Sequence, residues 1–264
     1  IIDSILIDDK NIGTDYSIEY TKGVVALEES EKSNSAEIKL YFKTVLPESG
    51  DRLSYNGTNY LLNGWFPTPA VLNNNGEWYH PEYRRNAELV SDYFIYDVKF
   101  SAPPGFVVVG PGSSLVGLNK NEDSTKHLFL FGPALDFALA IDADYLIDGS
   151  VVEEDTIRIY YRDYEYPILS KIKNAVNNSL AYMEKHVGKY EYGSLNLVFS
   201  DIGFSGGIEF PAMIALSTPR GAPAISNAYD MLTVHEVVHQ WFYSMIGSNQ
   251  VEYPWLDESI TNFF

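Results

Sequence analysis

Residues 156–200 read TIRIYYRDYEYPILSKIKNAVNNSLAYMEKHVGKYEYGSLNLVFS, and this stretch decides the fold class. Its first six residues, Thr156–Tyr161, are rich in β-branched and aromatic side chains and predict a strand. Pro167 suits the first turn of a helix, and Gly188 suits its C-terminal cap. Between them, apolar residues recur at helical spacing, at Leu169, Ile172, Val176, Leu180 and Met183. Ser194–Ser200 then predicts a second strand.

The first 155 or so residues predict β-structure, because short apolar or alternating runs are separated by turn-forming sequences. These runs are Ala36–Phe42, Tyr93–Phe100, Phe106–Val109 and His127–Phe131. Many short strands at this spacing favour a sandwich or an open, saddle-like sheet. We therefore predict an α+β protein, with an N-terminal β-domain over residues 1–155 and a second domain over residues 156–264.

The composition excludes several classes of function. The net charge of −18 argues against binding to nucleic acid or to anionic lipid, since both need a basic surface. No apolar run approaches the roughly 18 residues that a membrane-spanning helix needs. The chain has no cysteine, so a bound metal would be held by His, Asp and Glu.

A metal-binding pattern, His-Glu-Val-Val-His, lies within Asn227–Ile246, a segment that predicts a helix closed by a glycine. Residues four apart share one face of a helix, so His235 and His239 can reach one ion at about 2.0–2.1 Å. Glu236 is rotated about 100° from His235. It is poorly placed as a ligand but well placed as a general base acting on a water at the metal.

Glu258 can supply a third ligand. Eighteen residues separate it from His239, and Pro254 begins the predicted last helix, Trp255–Phe264, on which it lies. If the two helices pack side by side, two histidines and one glutamate leave an open position for water, as in catalytic zinc sites. We therefore predict one Zn²⁺ per chain. The competing structural interpretation is that both histidines are half-buried core residues.

These residues resemble a known family. HEVVHQWF followed by PWLDES is similar to the zinc signature of M1-family metallopeptidases, in which HEXXH precedes a WLNEG-like helix. Gly206–Phe210 (GGIEF) stands where that family has its GAMEN loop. The GGIEFP and HQWFY stretches resemble bacterial members of the family more than its well-known aminopeptidases. The resemblance implies an N-terminal β-domain followed by a thermolysin-like zinc peptidase domain over residues 156–264, incomplete at its C-terminus.

The resemblance also implies roles for single residues. The zinc ligands would be His235, His239 and Glu258. Glu236 matches the general base, and Glu209 matches the glutamate that binds the free α-amine of the substrate in family aminopeptidases. The backbone at Gly206 and Gly207 would lie along the substrate, where glycines permit close approach and an edge strand can pair with an extended peptide. The implied reaction is zinc-dependent removal of N-terminal residues from a peptide substrate.

Several positions depart from the family pattern. Phe210 replaces the Asn of GAMEN, Tyr243 stands where many members have Gly, and Asp257 and Ser259 replace the Asn and Gly of WLNEG. The segment Tyr60–Pro67 has no acid that could serve as a second amine anchor. These departures leave open an endopeptidase or a broad-specificity peptidase on the same scaffold. A non-catalytic zinc-binding or interaction protein is a further alternative.

The family's oxyanion-stabilising tyrosine lies downstream of the third ligand, and this chain ends six residues after Glu258. We therefore expect a fragment whose catalytic centre is incomplete. The acidic, cysteine-free composition favours a bacterial extracytoplasmic or cell-envelope location over the cytoplasm. The sequence does not define the oligomeric state.

Overall fold

The computed structural model of the protein describes residues 1–26, 35–82, 90–117, 123–218 and 226–264. Strands dominate these residues. In chain order they are β1 (Ile2–Ile7), β2 (Lys10–Asn11), β3 (Tyr16–Glu19), β4 (Lys22–Val25), β5 (Ile38–Phe42), β6 (Leu53–Asn56), β7 (Asn59–Leu62), β8 (Val71–Leu72), β9 (Trp78–Tyr79), β10 (Phe94–Ala102), β11 (Val107–Val109), β12 (Leu115–Gly117), β13 (Thr125–Ala134), β14 (Leu139–Asp142), β15 (Leu146–Val152), β16 (Asp155–Tyr161), β17 (Ser194–Ser200), β18 (Gly207–Ile208) and β19 (Met213–Ser217). The α-helices are α1 (Tyr166–His186), α2 (Ser226–Val238) and α3 (Trp255–Phe263), and a 3-10 turn at Asp163–Glu165 precedes α1.

The central sheet has five strands in the order β15-β16-β17-β19-β18. Its middle pairs, β16 with β17 and β17 with β19, are parallel, and the two outer pairs are antiparallel. Every residue of β17 and β19 is buried, as expected for strands that are covered on both faces. One face carries Ile159 and Leu197, which pack against Ile172 of α1 and Val237 of α2.

Two further sheets stack beneath the central sheet. On its other face, Val198 and Ala215 pack against Leu61 and Ala140 of a four-stranded sheet, β11-β14-β7-β6. The opposite face of that sheet packs against the three-stranded sheet β10-β13-β12, where Phe129 is among the buried residues. Helices and three sheets therefore form successive layers around shared apolar cores.

The boundary predicted after residue 155 falls at the start of β16. The preceding strand, β15, already pairs with β16 along its whole length, from Leu146 opposite Tyr161 to Val152 opposite Asp155. The central sheet thus draws its first strand from upstream of the boundary. The division into two domains stays a prediction.

The strand predictions around Ile38–Phe42, Phe94–Ala102, Val107–Val109, Thr125–Ala134 and Ser194–Ser200 are confirmed to within a few residues. The helix α1 is confirmed as well, with Pro167 in its first turn. No helix among the described residues combines the length and the apolar character that crossing a membrane requires.

The predicted helix over residues 227–246 is wrong beyond Val238, where α2 ends. The chain continues in irregular turns, in which the amide of Trp241 donates to Val238 O and the amide of Ser244 donates to His239 O, five residues back. Tyr243 has a φ of +129°, which no helix accommodates. The periodic apolar pattern therefore extends past the point where the backbone leaves the helix.

Candidate metal centre

The two histidines of the HEVVH segment lie side by side at the end of α2. The amide of His239 donates to the carbonyl of His235 at 3.2 Å, so the helical turn still holds although His239 follows the last residue of α2. The two Nε2 atoms are 3.0 Å apart. The Nε2 atoms of both imidazoles are thus close enough to bind a single ion.

Glu258, in the first turn of α3, completes a triangle with the two histidines. Its Oε2 lies 3.4 Å from His235 Nε2 and 3.9 Å from His239 Nε2. Ligand atoms that each lie about 2.0–2.1 Å from a tetrahedral zinc ion are roughly 3.3 Å from one another. The three side chains could therefore hold one ion, and two histidines with one carboxylate are a donor set that zinc accepts.

The triangle has a buried corner and an open side. The His239 side chain is 1% exposed, whereas that of His235 is 26% and that of Glu258 is 56% exposed. A ligand or a water can thus approach between His235 and Glu258, while His239 is enclosed by protein.

His239 is oriented by Asp257, whose importance the sequence did not reveal. The Nδ1–H of His239 donates to Asp257 Oδ1 at 2.6 Å, which leaves the Nε2 lone pair facing the other ligands. The second oxygen of Asp257 accepts from the side-chain amide of Gln250. Carboxylates in this position fix the tautomer and ring orientation of metal-binding histidines. In the sequence, Asp257 showed only as a departure from WLNEG.

The pKa shifts differ between the buried His239 and the exposed Glu258. Burial of the His239 imidazole acts to lower its pKa, but the hydrogen bond to Asp257 overrides this effect. The hydrogen bond to Asp257 and the nearby charges of Glu209 and Glu236 together raise the pKa of His239 to about 10 in the absence of a metal. The hydrogen bond with His235 lowers the pKa of Glu258. A metal ion would have to displace a proton from His239 at neutral pH.

The predicted base, Glu236, is 3% exposed and lies against the backbone of β18. A β-carbon added at Gly207 would be only 2.6 Å from Glu236 Cγ, so any side chain at this position would require the Glu236 side chain to move. The sequence predicted close approach of a substrate at the glycines. In the structure, the side chain of Glu236, the predicted base, also lies close to Gly207.

Gly206 serves a different purpose from its neighbour. Its φ is +95°, which favours glycine, and a β-carbon there would meet nothing within 4 Å. It turns the chain into β18, which pairs with β19 through Gly207 and Ile208 and forms the edge of the central sheet. β18 is the last strand of the described sheet. Pairing of its other edge with an extended peptide stays a prediction.

The carboxylate of Glu209 joins the buried side of the site. Glu209 is 8% exposed, and ligand atoms of Glu209, Glu236 and His239 all lie within 4.8 Å of one another. Gln240, which directly follows His239, holds the loop after Glu209 in place. Its amide donates to Phe210 O at 3.1 Å, and its Oε1 accepts from the Ala212 amide at 2.9 Å. The sequence did not single out Gln240.

Two other departures from the family pattern, at Tyr243 and in the segment 60–67, lie in buried or packed parts of the structure. Tyr243, where many family members have glycine, has a φ of +129° and is 2% exposed, so a bulky residue occupies a backbone conformation that favours glycine. In the segment 60–67, Trp65 and Phe66 pack against each other and against Phe100 and Tyr96, in the core of the N-terminal sheets.

Two solved peptidase structures share this fold. The chain superposes on the aminopeptidase A of Legionella pneumophila, crystallised with aspartic acid, with a TM-score of 0.74 and 14% identity over 99% of this chain. It superposes on an M1 zinc metallopeptidase of Deinococcus radiodurans with a TM-score of 0.68 and 13% identity over 100% of this chain. This chain spans 31% and 59% of those two proteins, respectively.

The likeness is one of fold. No protein-family model matches the sequence. No curated protein matches it either. At this level of identity, the neighbours share the architecture with this chain, and the chemistry of this chain has to be argued from its own residues.

Proposed function

We propose that this protein is a zinc-dependent peptidase that removes N-terminal residues from peptides. The observation that carries the proposal is the triangle formed by Nε2 of His235, Nε2 of His239 and Oε2 of Glu258, with sides of 3.0, 3.4 and 3.9 Å. A zinc ion held there would act as a Lewis acid and lower the pKa of a water from about 15.7 to about 7. The fold likeness supports an N-terminal β-domain followed by a thermolysin-like domain.

The residues beside the triangle have the chemistry that peptide hydrolysis needs. Glu236 lies next to His235 in the chain, and its carboxylate is buried against Gly207. There it takes the proton of the attacking water and delivers it to the leaving amine. A second carboxylate without an acid-base task, Glu209, can bind the ammonium group of a substrate. The edge of β18 can align the substrate backbone.

Hydrolysis of peptides by the zinc-loaded protein tests the proposal. Replacing Glu236 by Gln keeps the size of the side chain but removes the base, so the rate should fall by about 10²–10⁴-fold while zinc remains bound. Glu19→Gln, on the exposed strand β3, is a matched control and should leave the rate unchanged. An equal rate in Glu236→Gln and wild type would contradict the assignment. A zinc-loaded wild type without activity would favour a non-catalytic zinc protein only if a chain extended beyond Phe264 were also inactive, because the sequence predicts an incomplete catalytic centre in this fragment.

Glu209 separates an aminopeptidase from an endopeptidase on the same scaffold. If Glu209 binds the substrate ammonium, Glu209→Ala should slow hydrolysis of peptides with a free N-terminus far more than that of N-acetylated peptides. The comparison is made on pairs of substrates that differ only in acetylation. An equal loss on both members of each pair would contradict the amine-binding role and favour the endopeptidase.

A further inference from the structure

A second polar site lies outside the metal centre, between the central sheet and the chain that follows β11. It is a cavity of about 150 Å³, and its polar lining comes from Gly110, Gly112, Ser113, Ser114, Arg158 and Asn196. A water molecule takes up about 30 Å³ in the liquid, so the cavity is large enough for a small polyatomic ion. None of its lining residues belongs to the metal centre.

Asn196 lines this cavity and carries a buried hydrogen-bond acceptor without a partner among the described residues. It is 2% exposed, and its Nδ2 donates to Gly110 O at 2.7 Å and to Gly112 O at 2.8 Å. Because carbonyl oxygens only accept, these two bonds fix the orientation of the amide. The buried Oδ1 of Asn196 has no hydrogen-bond partner among the described residues. Buried polar atoms are seldom left in this state, so a donor on a ligand would stabilise it.

Arg158 places a donor and a positive charge beside it. Arg158 on β16 is the register partner of Asn196 on β17, so both side chains leave the same face of the sheet. Its Nη2 donates to Ser113 Oγ at 3.2 Å, whereas its buried Nη1 has no hydrogen-bond partner within the described part of the chain.

The neighbouring arginine shows what is unusual about Arg158. Arg162 forms ion pairs with Asp142, Glu165 and Asp201 at 2.8–3.3 Å. Arg158 forms no ion pair with any carboxylate in the described ranges, although the chain has 36 acidic and only 18 basic residues. A partly buried guanidinium without a counter-charge is costly, and an anion in the cavity would neutralise it.

We propose that this cavity binds a small oxyanion that keeps a proton, of the hydrogenphosphate type. Arg158 faces the charged oxygens of the ion, and Asn196 Oδ1 accepts its hydroxyl proton. The Ser113 oxygen already accepts from Arg158, which leaves the Ser113 hydroxyl proton to donate to the ion. The proposal is independent of the peptidase activity, because it uses no residue of the metal centre.

Titration of the zinc-loaded protein with inorganic phosphate, followed by ³¹P NMR, tests this site. Arg158→Met should weaken phosphate binding by about tenfold or more, because it removes a charge-assisted hydrogen bond. Arg158→Lys should retain part of the affinity. Lys22→Met, on the exposed strand β4, makes the same change in net charge and should have no effect. Sulfate carries no proton at neutral pH and should bind more weakly than phosphate.

Two outcomes would overturn the proposal. Phosphate that binds wild type and Arg158→Met equally, or that fails to bind wild type at tens of millimolar, would show that the cavity takes no oxyanion. Loss of phosphate binding in His235→Ala, with Arg158 intact, would place the ion at the metal centre instead. Binding that survives His235→Ala and is lost in Arg158→Met supports the site.

Discussion

The two histidines of the metal centre have the same chemistry but very different surroundings. His239 is 1% exposed and has its Nδ1 held by Asp257, whereas His235 is 26% exposed and contacts Glu258, whose side chain is 56% exposed. The buried half of the site comprises His239, Glu236 and Glu209, and within it the imidazole of His239 is oriented by Asp257 without a metal. The open half, with His235 and Glu258, is exposed to solvent.

This difference indicates that the His239 side of the site is more rigid than the His235 and Glu258 side. Pre-organised ligands lower the entropic cost of binding, and an exposed side keeps a coordination position accessible. The buried half should therefore contribute to the stability of the metal-free protein, whereas the open half should matter only for metal and substrate. Variants in each half should therefore differ in which of these properties they change.

The sharpest contrast is between His239→Ala and His235→Ala in the metal-free protein. Removing His239 leaves Asp257 buried without its cationic partner, which should lower the free energy of unfolding by about 3–5 kcal/mol. Removing the half-exposed His235 should change it by about 0.5 kcal/mol or less. Urea unfolding of both variants, with zinc chelated, measures the difference.

The difference in the free energy of unfolding between the two variants should depend on pH. The pKa of His239 is raised to about 10, above its usual value of 6.5, so protonated His239 favours the folded state. Its contribution is complete below about pH 6.5 and is lost as the pH rises through about 10. The gap between the two variants should therefore narrow at alkaline pH. Equal losses of stability in both variants at neutral pH would contradict the division into two halves.

The close packing of Gly207 on Glu236 predicts the next effect. A methyl group at Gly207 would overlap the Glu236 side chain, so Gly207→Ala should cost about 1–3 kcal/mol of stability and displace the base. Gly23→Ala is a matched control, since a β-carbon there meets nothing within 4 Å. Thermal unfolding and the rate of peptide hydrolysis are measured together. A Gly207→Ala protein with wild-type stability and activity would show that Glu236 lies elsewhere.

The smallest effect is expected at Asp257. Asp257→Asn restores the residue of the family pattern but weakens the acceptor for His239 Nδ1–H, so zinc affinity should fall by about 10–100-fold. Asp144→Asn, at an exposed position, controls for the loss of one negative charge. Competition with a fluorescent zinc chelator gives both affinities. An unchanged affinity in Asp257→Asn would mean that its hydrogen bond does not tune the metal site.

The parts of the molecule that the sequence predicted are those governed by local pattern. The HEVVH spacing follows from the geometry of a single helix, and the short apolar run in Ser194–Ser200 is typical of a buried strand. The true end of α2 was missed, because the apolar pattern of residues 239–246 is equally compatible with buried turns. Asp257 and Gln240 were missed because their partners lie 18 and 28–30 residues away in the chain. Contacts at such distances depend on the packing of α2 against α3 and β19.

If His235, His239 and Glu258 share one zinc ion, the zinc content of the protein depends on each of these ligands. Elemental analysis after zinc loading and dialysis should give about one zinc per chain in wild type and almost none in His235→Ala. The metal-free His235→Ala protein should still fold, so the loss would report the missing ligand alone. Wild type without zinc, or His235→Ala with as much zinc as wild type, would contradict the account.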